Sequence, residues 1–269
     1  LLCVEMYGDH VDELISRLDS LETGLRNRGT AAHTTRAIEP SDQARIWKLR
    51  ESALGLSMAM KGDAKSISFV EDTAVAPEKL RAFIERFLSI IRHHGTRAGI
   101  YAHASVGCLH VRPVVNMKTS DGVRQFEAIA NDVADLVLEF GGALSGEHGD
   151  GLVRGPFMER MFGAELYDAF RTIKQTFDPN GLFNPGKIVD SPPLTSNLRY
   201  GSKYQTPDPP SAFDHTAHGG LGRAVEMCSG VGACRKTLSG TMCPSYMVTH
   251  DEAHSTRGRA NTLRLAMTG

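Results

Sequence analysis

Apolar positions along the first 189 residues switch between two periods. Val11, Leu14, Ile15, Leu18 and Leu21 recur at the spacing of one helical face, which predicts a helix from Val11 to about Leu25. The preceding "LLCVEMYG" reads as a strand, and the following "AAHTTRAI" as extended chain. Ser41 and Asp42 can cap a helix through "ARIWKLRESALGLSMAM", after which "KSISFVEDTAV" returns to a strand. Pro77 suits the opening turn of a helix that runs to about His94. "AGIYAHAS" and "CLHVRPVV" are two strands across a tight turn, and a helix from about Ser120 to Phe140 follows. The glycine-rich "GGALSGEHGDG" is a loop, and a last helix to Phe177 leads into "FDPNGLFNPGKIV".

Helices on a mostly antiparallel sheet predict an α+β domain over residues 1–189. Single strands alternating with helices keep a parallel α/β sheet as the rival, and the adjacent hairpin favours α+β. Residues 190–222, rich in Pro, Gly and Ser, bury too little to order themselves except along another surface, and are expected to be a linker. Residues 223–269 begin a second, helical module. The chain starts without Met inside an apolar run and stops within a helical pattern, so an internal piece of a longer protein is expected.

Composition adds exclusions. With 30 Lys+Arg against 31 Asp+Glu, the net charge of -1 gives no nucleic-acid surface. No apolar run approaches the roughly 20 residues of a spanning helix, so the expected location is cytoplasmic, with peripheral attachment to an inner membrane compatible with it. Of five cysteines, Cys228, Cys234 and Cys243 crowd together, which suits metal ligation better than a disulfide framework.

Four features carry candidate chemistry. In "YAHASVGCLH", a turn centred on Val106 and Gly107 sets His103 directly opposite His110, close enough to share an ion; the alternative is two ordinary loop histidines. In "SGEHGDG", Glu147 can ligate while His148 faces a substrate as base, or the segment is an acidic surface turn. Arg50 and Lys65 can hold a carboxylate, or are solvated charges. "CSGVGACRKTLSGTMCPSY" has the spacing C-x5-C-x8-C-P, with Val231 where a ferredoxin run has its middle cysteine; a zinc knuckle is the alternative to an iron–sulfur site. No dinucleotide fingerprint or phosphate-binding loop is present in the sequence.

Together, H-x6-H, "SGEHGDG" and "FDPNGLFNPGKI" resemble the C-terminal cap half of the FAD-linked oxidases, the family of D-lactate, glycolate and D-2-hydroxyglutarate dehydrogenases. The cysteine segment and "DEAHSTRGRAN" resemble members fused to a 4Fe-4S ferredoxin-type module. The resemblance implies an FAD-dependent enzyme, its FAD domain upstream, that oxidises a D-2-hydroxy acid. It also implies electron transfer through a 4Fe-4S cluster to a quinone, cytochrome or electron-transfer protein. It places a divalent metal (Zn, Fe or Mn) on His103, His110 and Glu147, and makes His148 the base. Arg50 and Lys65 then hold the substrate carboxylate, Asn184 and Lys187 lie near the flavin, and Cys228, Cys234 and Cys243 bind the cluster. Many relatives carry Gly-Asp-Gly-Asn where this chain has Ser105-Val106-Gly107-Cys108, and Arg112 is either an added anion clamp or a charge on a strand edge. A zinc hydrolase and an electron-transfer subunit without substrate chemistry are the alternative functions.

Overall fold

The computed structural model describes residues 2–30, 33–238, 240 and 242–268, with the backbone alone at 54 and 56–58. The first two residues of "AAHTTRAI" lie outside the described residues, as do Ser239 and Thr241 in the cysteine segment. The chain forms two compact units, Leu1–Ala53 and Leu54–Gly269.

The first unit contains helix α1 (Val11–Asn27) and most of α2 (Pro40–Met58). α1 forms where the apolar spacing places it, with Asp12 and Glu13 in its first turn and Arg26 in its last, as the helix dipole favours. Arg36 ties the following segment to α1 through Asp19 at 2.7 Å and Glu22 at 2.6 Å. The expected first strand is absent: residues 2–8 adopt no regular structure. Leu2, Val4 and Tyr7 are 86, 54 and 77% exposed. An apolar run becomes a strand only where a neighbour satisfies its backbone, and none of the described residues pairs with this one.

In the second unit, "KSISFVEDTAV" bends at Phe69 and Val70 and supplies two short strands, β1 (Lys65–Ser66) and β2 (Thr73–Ala74). Helix α3 (Leu80–His93) follows, then β3 (Ala98–His103), β4 (Cys108–Val115) and α4 (Ser120–Glu139). The sheet is antiparallel throughout: β3 lies along one edge of β4, while β1 and β2 pair with opposite ends of its other edge. The α+β expectation is met.

β4 separates two environments. Its odd positions, Leu109, Val111 and Val115, are at most 1% exposed and join Phe83, Phe87 and Ile91 of α3 with Ile129, Val133 and Val137 of α4 in one core. Side chains alternate across a strand, so Cys108, His110 and Arg112 face the other way.

The hairpin register differs from the expected one. His103 stands opposite Cys108, and His110 opposite Tyr101. The connection is a 3-10 turn, Ala104–Val106, closed by Gly107 in the left-handed region, because a two-residue type II turn does not match strand twist. The shift is by two residues, so both histidines keep a common face. Gly107 has φ 71°, and a Cβ there would lie 1.8 Å from the Val75 carbonyl oxygen. Gly107→Ala is expected to destabilise the protein by about 3 kcal/mol, measured by urea unfolding.

Helix α5 (Met158–Phe177) is followed by three short helices, α6 (Leu221–Glu226), α7 (Pro244–Thr249) and α8 (Thr256–Thr268). The expected linker lies along a surface: Leu194, Leu198 and Tyr200 pack against the core. Lys118 binds it further through Thr206 at 2.6 Å, and also donates to Asp63 at 2.9 Å and to Glu226 of α6 at 2.5 Å.

Candidate metal centre

The even face of β4 and the facing residues of β3 supply the first half of the site. His110 is 4% exposed; its ring stacks on Tyr101 with centroids 5.6 Å apart and meets His103 edge-on at 5.2 Å. The "SGEHGDG" loop supplies the second half and is held by Asp72, a fully buried carboxylate with φ 77° just before β2. Asp72 accepts from the Ser145 hydroxyl at 2.6 Å and from the backbone amides of Glu147 at 3.0 Å and His148 at 2.8 Å. Its own carbonyl accepts from the Gly146 amide at 2.7 Å. A side chain at Gly146 would press on the Cys108 sulfur at 3.0 Å and on the Ala74 Cβ at 3.2 Å.

This clasp directs Glu147 back over the sheet. One of its oxygens, Oε1, lies 3.1 Å from His110 Nε2, 3.3 Å from His103 Nε2 and 3.6 Å from His148 Nε2. His148 Nδ1 faces carboxylates, Asp72 at 3.8 Å and Glu71 at 4.0 Å. Arg112 is engaged by Glu71, donating from Nε at 2.6 Å, so it is committed to an ion pair within the protein.

The donor set fits a divalent ion. Burial outweighs the nearby Glu71 and Glu147 charges and holds the His110 pKa down, which favours the neutral imidazole a metal requires. The buried His110 Nδ1 has no hydrogen-bond partner among the described residues, so the ring's polar contacts are all made through Nε2. Tetrahedral bonds of 2.0–2.1 Å place neighbouring ligand atoms about 3.3 Å apart, the scale of the His–Glu147 separations. Among the described residues, Asp72, Cys108, His110 and Glu147 each offer an atom within 4.8 Å of the others.

Among the other sequence-derived candidates, Lys65 stands apart from this group. Lys65 pairs with Val115, five residues along β4 from His110 and hence about 17 Å away along the strand. Its ammonium approaches the Met227 sulfur at 3.6 Å, in the wall of a cavity of about 330 Å³ that Cys228 also lines. Burial, then Lys118, holds its pKa down. Arg50 belongs to the first unit, where its guanidinium lies 4.8 Å over the Trp47 ring. Asn184 and Lys187 are exposed in a turn that Asp178 caps, accepting from the Leu182 and Phe183 amides at 2.8 and 2.9 Å. That turn reaches the "SGEHGDG" loop, Ile188 N donating to Gly151 O at 2.9 Å, and it presents Phe177, Leu182 and Phe183 at 81, 73 and 67% exposure.

Cys234, Cys243 and Tyr246 form a small buried cluster, and Cys228 is partly buried. The Thr256 hydroxyl, the Tyr246 amide and the Ser245 hydroxyl lower the Cys243 pKa to about 7. Among the described residues, these three thiols do not converge within single-ion distance.

Residues 1–188 match the family model for FAD linked oxidases, C-terminal domain. The chain belongs to that family. As a FAD-linked oxidase domain, it is 37% identical over 228 residues to D-2-hydroxyglutarate dehydrogenase of Haemophilus influenzae, covering 82% of this chain and 21% of the relative. It is 33% identical to the enzyme of that name from Pantoea ananatis, over 97% of this chain and 26% of the relative. D-lactate dehydrogenase of Archaeoglobus fulgidus matches at 31% over 57% of this chain and 32% of the relative. The chain thus spans about a quarter of the D-2-hydroxyglutarate dehydrogenases it matches. Among its described residues, no helix is long and apolar enough to cross a membrane.

Sequence reasoning passed over Asp72, Glu71 and Cys108. "VED" gives little signal, since an acidic pair at the end of an apolar run reads as a solvated strand end. Cys108 was legible only as a departure from the family pattern.

Proposed function

We propose that the whole protein is an FAD-dependent dehydrogenase that oxidises a D-2-hydroxy acid, of the 2-hydroxyglutarate or lactate type, to the 2-oxo acid. The carrying observation is the meeting of three imidazole Nε2 atoms at one Glu147 oxygen within 3.6 Å. His103, His110 and Glu147 would hold a divalent ion, and His148 would take the substrate hydroxyl proton. When bound, the ion would supply Lewis acidity that lowers the hydroxyl pKa, and FAD would supply the acceptor for the C2 hydride.

The chain's own residues support these roles. His148 Nδ1 faces Asp72 and Glu71, which turns Nε2 toward Glu147 Oε1 and the substrate side of the centre. Lys65, about 17 Å along the strand from His110, does not share a substrate with the centre in this arrangement, while Asn184 and Lys187 remain the proposed flavin-side residues. The exposed aromatic face of their turn suits a docked flavin domain. Family membership favours redox chemistry over zinc hydrolysis, which would use the same donors.

The match to the Pantoea enzyme runs through the cysteine segment, whereas the D-lactate match covers little more than half the chain. This favours 2-hydroxyglutarate as substrate; a 4Fe-4S cluster on Cys228, Cys234, Cys243 and a further ligand is proposed from the cysteine spacing alone. Electrons would pass on to a quinone, cytochrome or electron-transfer protein. In the full-length protein, His148→Ala is expected to retain FAD and to lose flavin bleaching by D-2-hydroxyglutarate, followed anaerobically by absorbance. Bleaching at the wild-type rate would remove His148 as the base.

A further inference from the structure

We infer that Cys108 is itself a donor to the ion, so that the centre is a mixed Cys–His–carboxylate set selecting a thiophilic divalent metal such as zinc over manganese or magnesium. The inference rests on the metal reading above and names a donor beyond its His103, His110 and Glu147.

Of the four residues whose ligand atoms lie within 4.8 Å of one another, Asp72 is already occupied by loop donors, which leaves Cys108 beside His110 and Glu147. The Cys108 sulfur lies 3.9 Å from His110 Nε2. Bonds of 2.3 Å to sulfur and 2.0–2.1 Å to nitrogen subtend about 3.6 Å at a tetrahedral ion, so a closing movement of a few tenths of an ångström suffices. The sulfur is already placed: Cys108 is 4% exposed, pairs with Ala74 of β2 and has Gly146 behind it. The thiol donates to Asp72 Oδ1 at 3.4 Å. On coordination the S–H bond breaks, a sulfur–metal bond forms and the proton leaves to solvent, with no change of oxidation state. Thiolate is a soft ligand, and it favours zinc where an asparagine oxygen would not.

The test is zinc X-ray absorption on the whole chain with Cys3, Cys228, Cys234 and Cys243 replaced by serine and one equivalent of zinc added. The expected spectrum has one sulfur at about 2.3 Å with nitrogen and oxygen at 2.0–2.1 Å. Adding Cys108→Ser should remove the sulfur and weaken zinc binding about 10- to 100-fold, with manganese binding little changed. Bound zinc with only nitrogen and oxygen neighbours overturns the role of Cys108 and leaves the metal reading standing. Failure to bind zinc at all overturns both. Should these variants not fold, cobalt-loaded wild type and its Glu147→Gln variant are compared. Loss of a sulfur-to-cobalt charge-transfer band in E147Q supports Cys108, and an unchanged band overturns it.

Discussion

Asp72→Ala is expected to lower the stability of the second unit by about 4 kcal/mol, the scale set by removing one partner of a buried, hydrogen-bonded charge. No water reaches the carboxylate, and three donors from Ser145, Glu147 and His148 end on it. Alanine leaves those donors unpaired and frees the loop that presents Glu147. Asn tolerates the left-handed backbone and keeps one acceptor, so Asp72→Asn should cost less. Burial by itself raises the Asp72 pKa, but the Ser145 hydroxyl, the His148 amide, the Cys108 thiol and the Glu147 amide together hold it below the ordinary carboxylate value. A depressed folded pKa contributes stability above the unfolded value and loses it as pH falls through the folded one. The gap between wild type and D72A should therefore be full at neutral pH and close in acid. Urea unfolding at pH 7 and at a series of pH values below 4 measures both parts.

Glu147→Gln is expected to lower divalent-metal affinity by at least about 100-fold, or about 2.7 kcal/mol, and to reduce turnover of D-2-hydroxyglutarate by the full-length protein at least as much. The amide keeps the shape of the side chain and removes the charge on which His103, His110 and His148 converge. Because Asp72 holds the loop through the backbone of residue 147, the loop itself should stay in place. Calorimetric titration with zinc and manganese, beside an unfolding curve matching wild type, separates loss of the ligand from loss of the fold. Wild-type metal affinity in E147Q would remove Glu147 from the centre.

The parts legible in the sequence were those whose periodicity and burial agree. α3 and α4 lie where Pro77 and the apolar spacing put them, because each buries one face in the same core. The histidine pair was found with the wrong partners: the 3-10 turn at Ala104–Val106 lengthens the connection in a way that Ser-Val-Gly-Cys does not announce. Asp72 stayed hidden because its role is created by a loop more than seventy residues later, and a single buried carboxylate has no spacing to betray it. "LLCVEMYG" has strand composition, but pairing is a property of two segments, and composition describes one.

β4 gives stability and chemistry to alternate residues of one strand, and this makes the strand sensitive to parity. A one-residue insertion ahead of His110 would turn its imidazole into the space of Leu109 and Val111 and carry an aliphatic side chain to the face of Glu147. A two-residue change would only slide the donors along. Working homologues should accordingly vary in length here by pairs of residues, while the loops beyond the sheet are free to vary by ones.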